Sequence, residues 1–270
     1  MIGFLIQKTL YDFWDNMFKM VVINLGFLLV AAIPIFLPGL MDTLGISSMP
    51  LEMAITGIGI LACSVYLAAA SYSMSSISDY STFGFAALFG SFKHTWKAGL
   101  VMGLFVFLLF IVATIILPFY LSIESSFGLL LAAVVFWVTI FGMISFQFYF
   151  SVYTRLGGKI GKSFKKCMIL SMDNSGFAFF LFIHNLIVIL LPFVVPFMLF
   201  FIIIPGPAGI FLYIDEAVRL RLLKYDWLEA NPEAAASGKR KKIPWEELLV
   251  EEREKTGHRT FKNFVFPWKD

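Results

Sequence analysis

Residues 176–214 read GFAFFLFIHNLIVILLPFVVPFMLFFIIIPGPAGIFLYI, a run of 39 amino acids without Asp, Glu, Lys or Arg. A single helix of that length would extend roughly 58 Å at 1.5 Å per residue. The hydrocarbon core of a bilayer is only about 30 Å thick. The run therefore predicts two membrane crossings joined in a hairpin.

Basic side chains stand on both sides of this run. Four lysines precede it and three basic residues follow it: Lys159, Lys162, Lys165 and Lys166, then Arg219, Arg221 and Lys224. A hairpin brings its two ends to the same membrane face, and excess Lys and Arg is typical of the cytoplasmic face. We therefore expect both ends of the hairpin in the cytoplasm.

The composition indicates a polytopic membrane protein. Of the 270 residues, 59% are hydrophobic and 14% are charged, and the mean hydropathy is +0.85. Soluble domains are about 45–50% apolar and about 25% charged. Nucleic-acid binding needs a soluble basic face, and apart from one short cluster near the C-terminus no such face is predicted, so nucleic acid is excluded as a partner.

The charge distribution predicts six spans with both termini inside. The spans cover about residues 18–37, 54–76, 98–120, 127–153, 176 onwards, and 197–219. All 21 Lys and Arg then fall on one side of the membrane. We place the last turn near 192–196, with a kink at Pro205, Gly206 and Pro207; the alternative is a turn at Pro205 and a short final span. We expect the prolines near 34, 38 and 118 to bend or end their helices.

Three segments have the amphipathic pattern of helices that lie in the membrane interface: 2–17, 83–97 and 158–172. In the last of them the predicted apolar face is Ile160, Phe164, Cys167, Met168 and Met172. Each segment is followed by two spans, with a period of about 75–80 residues. Three parallel repeats are one interpretation; the other is that short basic loops look alike.

The predicted membrane domain ends at residue 224. Residues 225–270 form a predicted cytoplasmic tail, in which a helix begins at Pro244 and ends before Gly257. The tail also contains a basic cluster and an apolar end. Their members are Lys239, Arg240, Lys241 and Lys242, and Phe261, Phe264, Phe266 and Trp268. We expect these residues, with Lys159, Lys162, Lys165 and Lys166, to contact anionic lipid headgroups or a membrane partner.

Four polar residues lie inside predicted spans: Asn24, Gln147, His184 and Asn185. Ionisable residues at the depth of His184 are rare and point to function, so these four could line a polar cavity. The alternatives are interhelical hydrogen bonds and, for His184, a neutral imidazole bonded to a neighbouring helix. Asp215 and Arg219 stand four residues apart and predict a salt bridge.

No motif for catalysis, cofactor binding or metal binding is found in the sequence. Enzymes are therefore the least favoured class, and we expect no cofactor. The two cysteines, Cys63 and Cys167, are distant in sequence and are predicted on different sides of the membrane boundary. No disulfide is expected between them.

Three short runs resemble the YesL-like family of bacterial integral membrane proteins, a domain of unknown function. They are Asn24-Leu25 with Ile33-Pro34, Ser91-Phe92-Lys93, and Pro205-Gly206 with Ile210-Phe211-Leu212. The resemblance covers about residues 10–224. It implies a bacterial inner-membrane protein whose partners are importers of the ATP-binding-cassette type for carbohydrates, and it carries over no catalytic residue.

The sequence thus favours an accessory or scaffold protein associated with sugar uptake. The second expectation is a small-solute transporter or channel with a polar cavity around His184.

Overall fold

The fold is all-α in the ranges described by the computed structural model, 1–46, 48–232 and 243–257; no strand occurs in them. The helices are α1 Ile2–Asp15, α2 Met17–Thr43, α3 Met49–Ser78, α4 Phe85–Ile111, α5 Leu117–Leu121, α6 Ser126–Phe146, α7 Tyr149–Arg155, α8 Ile160–Asp173, α9 Ser175–Val194 and α10 Gly206–Ala230. A π-helical segment, Val112–Ile116, joins α4 to α5, and a 3-10 helix, Pro196–Ile202, follows α9. Two short helices, Trp245–Leu248 and Val250–Thr256, form what we call the C-terminal arm.

Five helical segments in the described ranges are long and apolar enough to cross a membrane. They are Met17–Thr43, Met49–Ser78, Phe85–Leu121, Ser126–Arg155 and Ser175–Val194. An all-α polytopic membrane protein is therefore confirmed.

The sixth predicted span is not a continuous helix. After α9 ends at Val194, the return limb consists of the 3-10 helix, a break at 203–205, and α10. The limb does come back beside α9, because the Arg221 guanidinium lies 3.9 Å from the Phe177 ring and Lys224 pairs with Asp173 at 3.0 Å. The hairpin is thus present, but its second limb is divided.

Prolines interrupt the helices less than the sequence suggested. The helix α2 continues past Pro34 and Pro38 to Thr43. The third span continues past Pro118 to Leu121, with the π-helical turn directly before that proline. A π-helical turn is wider than an α-helical turn, so it accommodates Pro118, which has no backbone N–H to donate.

The predicted interfacial segments differ from one another in the structure. Residues 85–97 belong to the same helix as the third span, so this segment is not a separate helix. The helix α1 is separate and buries Phe4, Leu5 and Lys8 against the bundle. The helix α8 is also separate, but Met168 and Met172 are exposed while Cys167 is buried. The predicted apolar residues of α8 thus lie partly on the side packed in the bundle and partly on its outer side, and an interfacial position for α8 stays a prediction.

The helix α3 occupies the centre of the bundle and packs most closely against α4. Its small residues Ala68, Ala69 and Ala70 are buried. A side chain at Gly99 of α4 would meet the Cα of Val65 in α3 at 2.5 Å. Small residues let helices approach in lipid, and here they allow α3 to take the packed interior position.

The Gly99 contact can be tested with two alanine variants of one helix. We expect Gly99→Ala to lower the melting temperature in detergent, because its methyl group meets backbone atoms that cannot move aside; overpacking costs about 1–3 kcal/mol. Gly90→Ala is the control, since nothing lies within 4 Å of a side chain there. Equal melting temperatures for the two variants would contradict the close approach of α3 and α4.

Candidate functional site

Charged side chains from five elements meet at one end of the bundle, which we call the basic end. The elements are α1, the end of α3, the end of α7, the middle of α10 and the C-terminal arm. The charged members of this ionic cluster are Lys8, Asp12, Asp79, Arg155, Asp215, Glu216, Arg219 and Glu252. The cluster contains two more carboxylates than cations.

Lys8 connects α1 to α3 and α10. Its ammonium donates to Asp12 at 2.6 Å, to the Ser78 carbonyl at 3.1 Å, and to Glu216. Lys8 and Glu216 are both fully buried. A buried ammonium needs all three of its donors satisfied, and here the three acceptors come from three helices.

Arg155 ends the fourth span and connects it to α3 and α10. Its guanidinium binds both oxygens of Asp215, donates to Asp79 at 3.0 Å and donates to the Ser78 hydroxyl at 2.8 Å. Ser75 adds a hydrogen bond of 3.0 Å to Asp215. Two-pronged arginine–carboxylate pairs are strong and fix orientation, so this pair sets how α7 and α10 meet.

Arg219 connects α10 to the C-terminal arm. It binds Asp79 at 2.9 Å, the Ser78 carbonyl, and Glu252 at 2.8 Å. The salt bridge predicted between Asp215 and Arg219 was therefore wrong. The two residues do lie one turn apart, but tertiary partners from other helices satisfy each of them.

Tyr80 lies under the cluster and adopts a left-handed backbone, with φ of +57°. Its ring lies 4.2 Å from the Lys8 ammonium, and its hydroxyl lies 3.0 Å from both Glu252 Oε2 and Thr256 Oγ1. Burial raises the pKa of Tyr80, and the negative charge of Glu252 adds to the effect. The phenol therefore stays protonated and donates to the arm.

The C-terminal arm is held by apolar contacts as well as by charge. Leu249 is fully buried in the main hydrophobic cluster, and Trp245 packs against the same cluster. The Arg221 guanidinium lies 5.6 Å from the Trp245 ring. The arm is thus part of the packed structure at the basic end.

The base of α9 carries a smaller polar group. Asp173 accepts from Lys224 at 3.0 Å and from the Tyr225 hydroxyl at 2.7 Å. Burial opposes its charged form, but these two donors together lower the pKa of Asp173 below its ordinary value. The stabilisation from this group is present above the pKa of an unfolded aspartate, about 4, and is lost as the pH falls through the lowered value.

Asn24 satisfies the broken backbone of the return limb. Its amide donates to the carbonyls of Ile203 at 2.8 Å and Pro205 at 2.6 Å, and it accepts from the Ala208 N–H at 2.9 Å. Gly206 has φ of +53°, and a side chain there would meet Asn24 at 2.6 Å. Irregular backbone in a membrane needs such partners. Asn24 thus has a structural role apart from the other three polar residues.

Gln147, His184 and Asn185 do lie together. The Asn185 amide donates to Gln147 at 3.4 Å, Gln147 donates to the Ala178 carbonyl at 2.9 Å, and His184 lies 3.3 Å from Asn185. Gln147 and Asn185 line a cavity of about 280 Å³, together with Ser64 and otherwise apolar side chains. His184 faces a separate apolar groove of about 250 Å³ between α1, α9 and α10.

The predicted contact residues are only partly within the described ranges. Lys159, Lys162 and Lys165 are exposed, and Lys166 is half-buried. The remaining members, Lys239, Arg240, Lys241, Lys242, Phe261, Phe264, Phe266 and Trp268, lie outside the described residues. Cys63 and Cys167 are free thiols. Within the described ranges, no group of three His, Cys, Asp or Glu could hold a metal ion.

The ionic cluster was not predicted from the sequence. The amphipathic pattern predicted an interfacial helix over 2–17, whose polar side includes Lys8 and Asp12, and no partner was predicted for Asp79 or Glu216. A partial signal was available, because Asp79 and Arg155 stand at the ends of apolar spans and Asp215 and Glu216 directly follow the run 176–214. The pairing itself depends on tertiary contacts between residues up to 208 positions apart.

No family model, no curated protein and no solved structure matches this chain. The resemblance to the YesL-like family therefore stays a prediction from the residues.

Arg155 offers a direct test of the cluster. We expect Arg155→Met to lower the free energy of unfolding by about 3–5 kcal/mol, because it leaves Asp215 buried without its cation. The double variant Arg155→Met/Asp215→Asn should be less destabilised, since no charge is then left unpaired. Thermal unfolding in detergent measures both, with exposed Arg253→Met as the control. A double variant at least as unstable as the single one would refute the pairing.

A second test concerns the break in the return limb. Replacing Asn24 by Leu removes the donors to Ile203 and Pro205, and we expect a loss of about 1–3 kcal/mol from unsatisfied buried groups. Asn231→Leu, at an exposed position, is the matched control. If Asn24→Leu has the same melting temperature as the unmodified protein, the Asn24 amide does not stabilise the break.

Proposed function

We propose that this chain is a non-enzymatic accessory or scaffold protein of the bacterial cytoplasmic membrane, with both termini inside. Its partner in this proposal is an ATP-binding-cassette importer of carbohydrates. The supporting observation is that the C-terminal arm is fixed to the ends of the membrane helices while its other side is open to contact.

The arm has two distinct sides. Leu249 and Glu252 are buried against the bundle. The opposite side exposes four glutamates: Glu246, Glu247, Glu251 and Glu254. A short helix is marginal by itself in water, so attachment to the bundle is what maintains this acidic surface in one orientation. A fixed surface outside the bilayer suits a subunit that docks onto another protein.

The polar residues inside the bundle support the same proposal. The Asn24 amide donates hydrogen bonds to the backbone at the helix break. Asn185 donates to Gln147, and Gln147 donates to a backbone carbonyl. Side chains engaged in this way serve packing first. The importer as partner and the bacterial inner membrane come from the family resemblance and from the charge distribution of the sequence.

Co-purification from native membranes tests the proposal. The full chain and a variant with all four arm glutamates changed to glutamine would be isolated, and importer subunits quantified by mass spectrometry. A variant truncated after Gly257 tests the aromatic end in the same assay. We expect importer subunits with the unmodified chain and a loss of at least tenfold with one or both variants.

Two exposed acids at the opposite end provide the control, Asp42→Asn with Glu124→Gln. Importer subunits retained by every variant, or absent from the unmodified chain, would contradict the proposal. The topology is tested separately by a tag fused after Asp270, which should be protected from protease outside intact cells.

The cavity near Gln147 and Asn185 favours a second candidate function, a small-solute transporter. A mostly apolar cavity of about 280 Å³ with a few polar groups has the form of a small-molecule site. In proteoliposomes, efflux of labelled monosaccharides should then fall several-fold in Asn185→Leu, while His184→Phe reports on the separate groove. Efflux no faster than from protein-free liposomes would exclude this function for these solutes.

A further inference from the structure

Among the described residues of the ionic cluster, Glu216 is the fully buried carboxylate whose hydrogen bonding is incomplete. Its side chain has no exposed surface. One oxygen accepts from Lys8, whereas Oε2 is buried and has no hydrogen-bond partner among the described residues. Buried polar atoms are normally paired, and each exception calls for a physical cause.

The charges around Glu216 do not balance. The Lys8 ammonium has three donors, and Asp12, the Ser78 carbonyl and Glu216 take all of them. One cation therefore serves two carboxylates. A buried carboxylate without its own cation is costly, and the usual relief is to take up a proton.

The surrounding cations are already used by other carboxylates. The charged and titratable groups around Glu216 are Lys8 and Asp12 of α1, Asp79 and Tyr80 after α3, Arg155 of α7, Asp215 and Arg219 of α10, and Glu252 of the arm. Arg155 binds Asp215 and Asp79, and Arg219 binds Asp79 and Glu252. Lys8 is thus the one cation in direct contact with Glu216 among the described residues.

Asp12 connects Glu216 to water. The Lys8 ammonium binds one oxygen of Asp12 and one of Glu216, so the two carboxyl groups lie side by side. When two carboxyl groups occupy one site, one of them readily takes up a proton. Asp12 is 15% exposed and lines a polar groove of about 410 Å³, together with Lys19, Tyr80 and Lys255. A proton can therefore reach the pair from the basic end without crossing the bundle.

We propose that Asp12 and Glu216 form a proton-binding site, in which the two carboxyl groups share one proton beside Lys8. Loading moves a proton from hydronium in the groove to a carboxylate oxygen, and water is released. With the proton bound, Lys8 and the pair together are neutral. Without it they carry one net negative charge inside the protein.

Infrared spectroscopy of the full chain in liposomes tests this site. Exposed carboxyl groups ionise near pH 4, so a protonated carboxyl stretch at about pH 7 reports a buried site. We expect such a band in the unmodified chain, a downshift in D₂O, and its loss on titration to alkaline pH. Glu216→Gln should abolish the band, and exposed Glu247→Gln should leave it.

Thermal unfolding provides an independent measure. Glu216→Gln imitates the proton-bound state and leaves Lys8 paired with Asp12, so its melting temperature at about pH 7 should stay within a few degrees of the unmodified chain. Lys8→Met leaves two carboxylates with no cation, so it should be destabilised, and more strongly as the pH rises. The proposal would be overturned if Glu216→Gln lowered the melting temperature strongly and Lys8→Met did not.

The spectrum of the unmodified chain is decisive even if a variant fails to fold. If no protonated carboxyl band is present at about pH 7, the site does not hold a proton and the proposal is wrong. A band that survives in folded Glu216→Gln or Asp12→Asn would equally overturn it, because the proton would then belong to another group.

Discussion

A buried charge must have a partner, and this requirement organises one whole end of the molecule. Lys8, Arg155 and Arg219 each bind carboxylates or carbonyls supplied by other helices. Removing such a partner leaves an uncompensated charge in a poorly polarisable environment, which is far more costly than losing an exposed pair. Four membrane-domain helices and the C-terminal arm are therefore fastened together at one place. Elsewhere the bundle is held by packing, most closely between α3 and α4, and by smaller polar groups such as Asp173 with Lys224.

The same cluster joins the helix bundle to the C-terminal arm. Arg219 and Tyr80 contact the bundle on one side and Glu252 on the other. Because Leu249 is buried beside them, the arm is packed as a continuation of the basic end. A change of charge at Glu216 or Asp12 would alter the field at these contacts. The proposed proton site and the proposed docking surface are thus neighbours within one network.

The architecture could be anticipated where local chemistry suffices. The uncharged run 176–214 could only be a hairpin, because its length exceeds the bilayer and its flanks are basic. The alanines and glycines of the second span are residues that favour close helix packing, and Gly57, Gly59 and Ala68 are buried. The prolines at 34, 38 and 118 misled, since α2 continues past the first two and the π-helical turn accommodates Pro118. The break predicted at Pro205 is present, and Asn24 satisfies its backbone groups.

Hydropathy and charge along the chain determined the class of protein, the positions of five spans and the hairpin at the end, since each depends on residues close in sequence. Tertiary structure alone decided which charges are buried and whom they bind. Asp215 illustrates the difference: its nearest cation in sequence is Arg219, yet its partner is Arg155, 60 positions away. Electrostatic pairing acts through space and favours the best geometry in low dielectric, so chain order cannot reveal it.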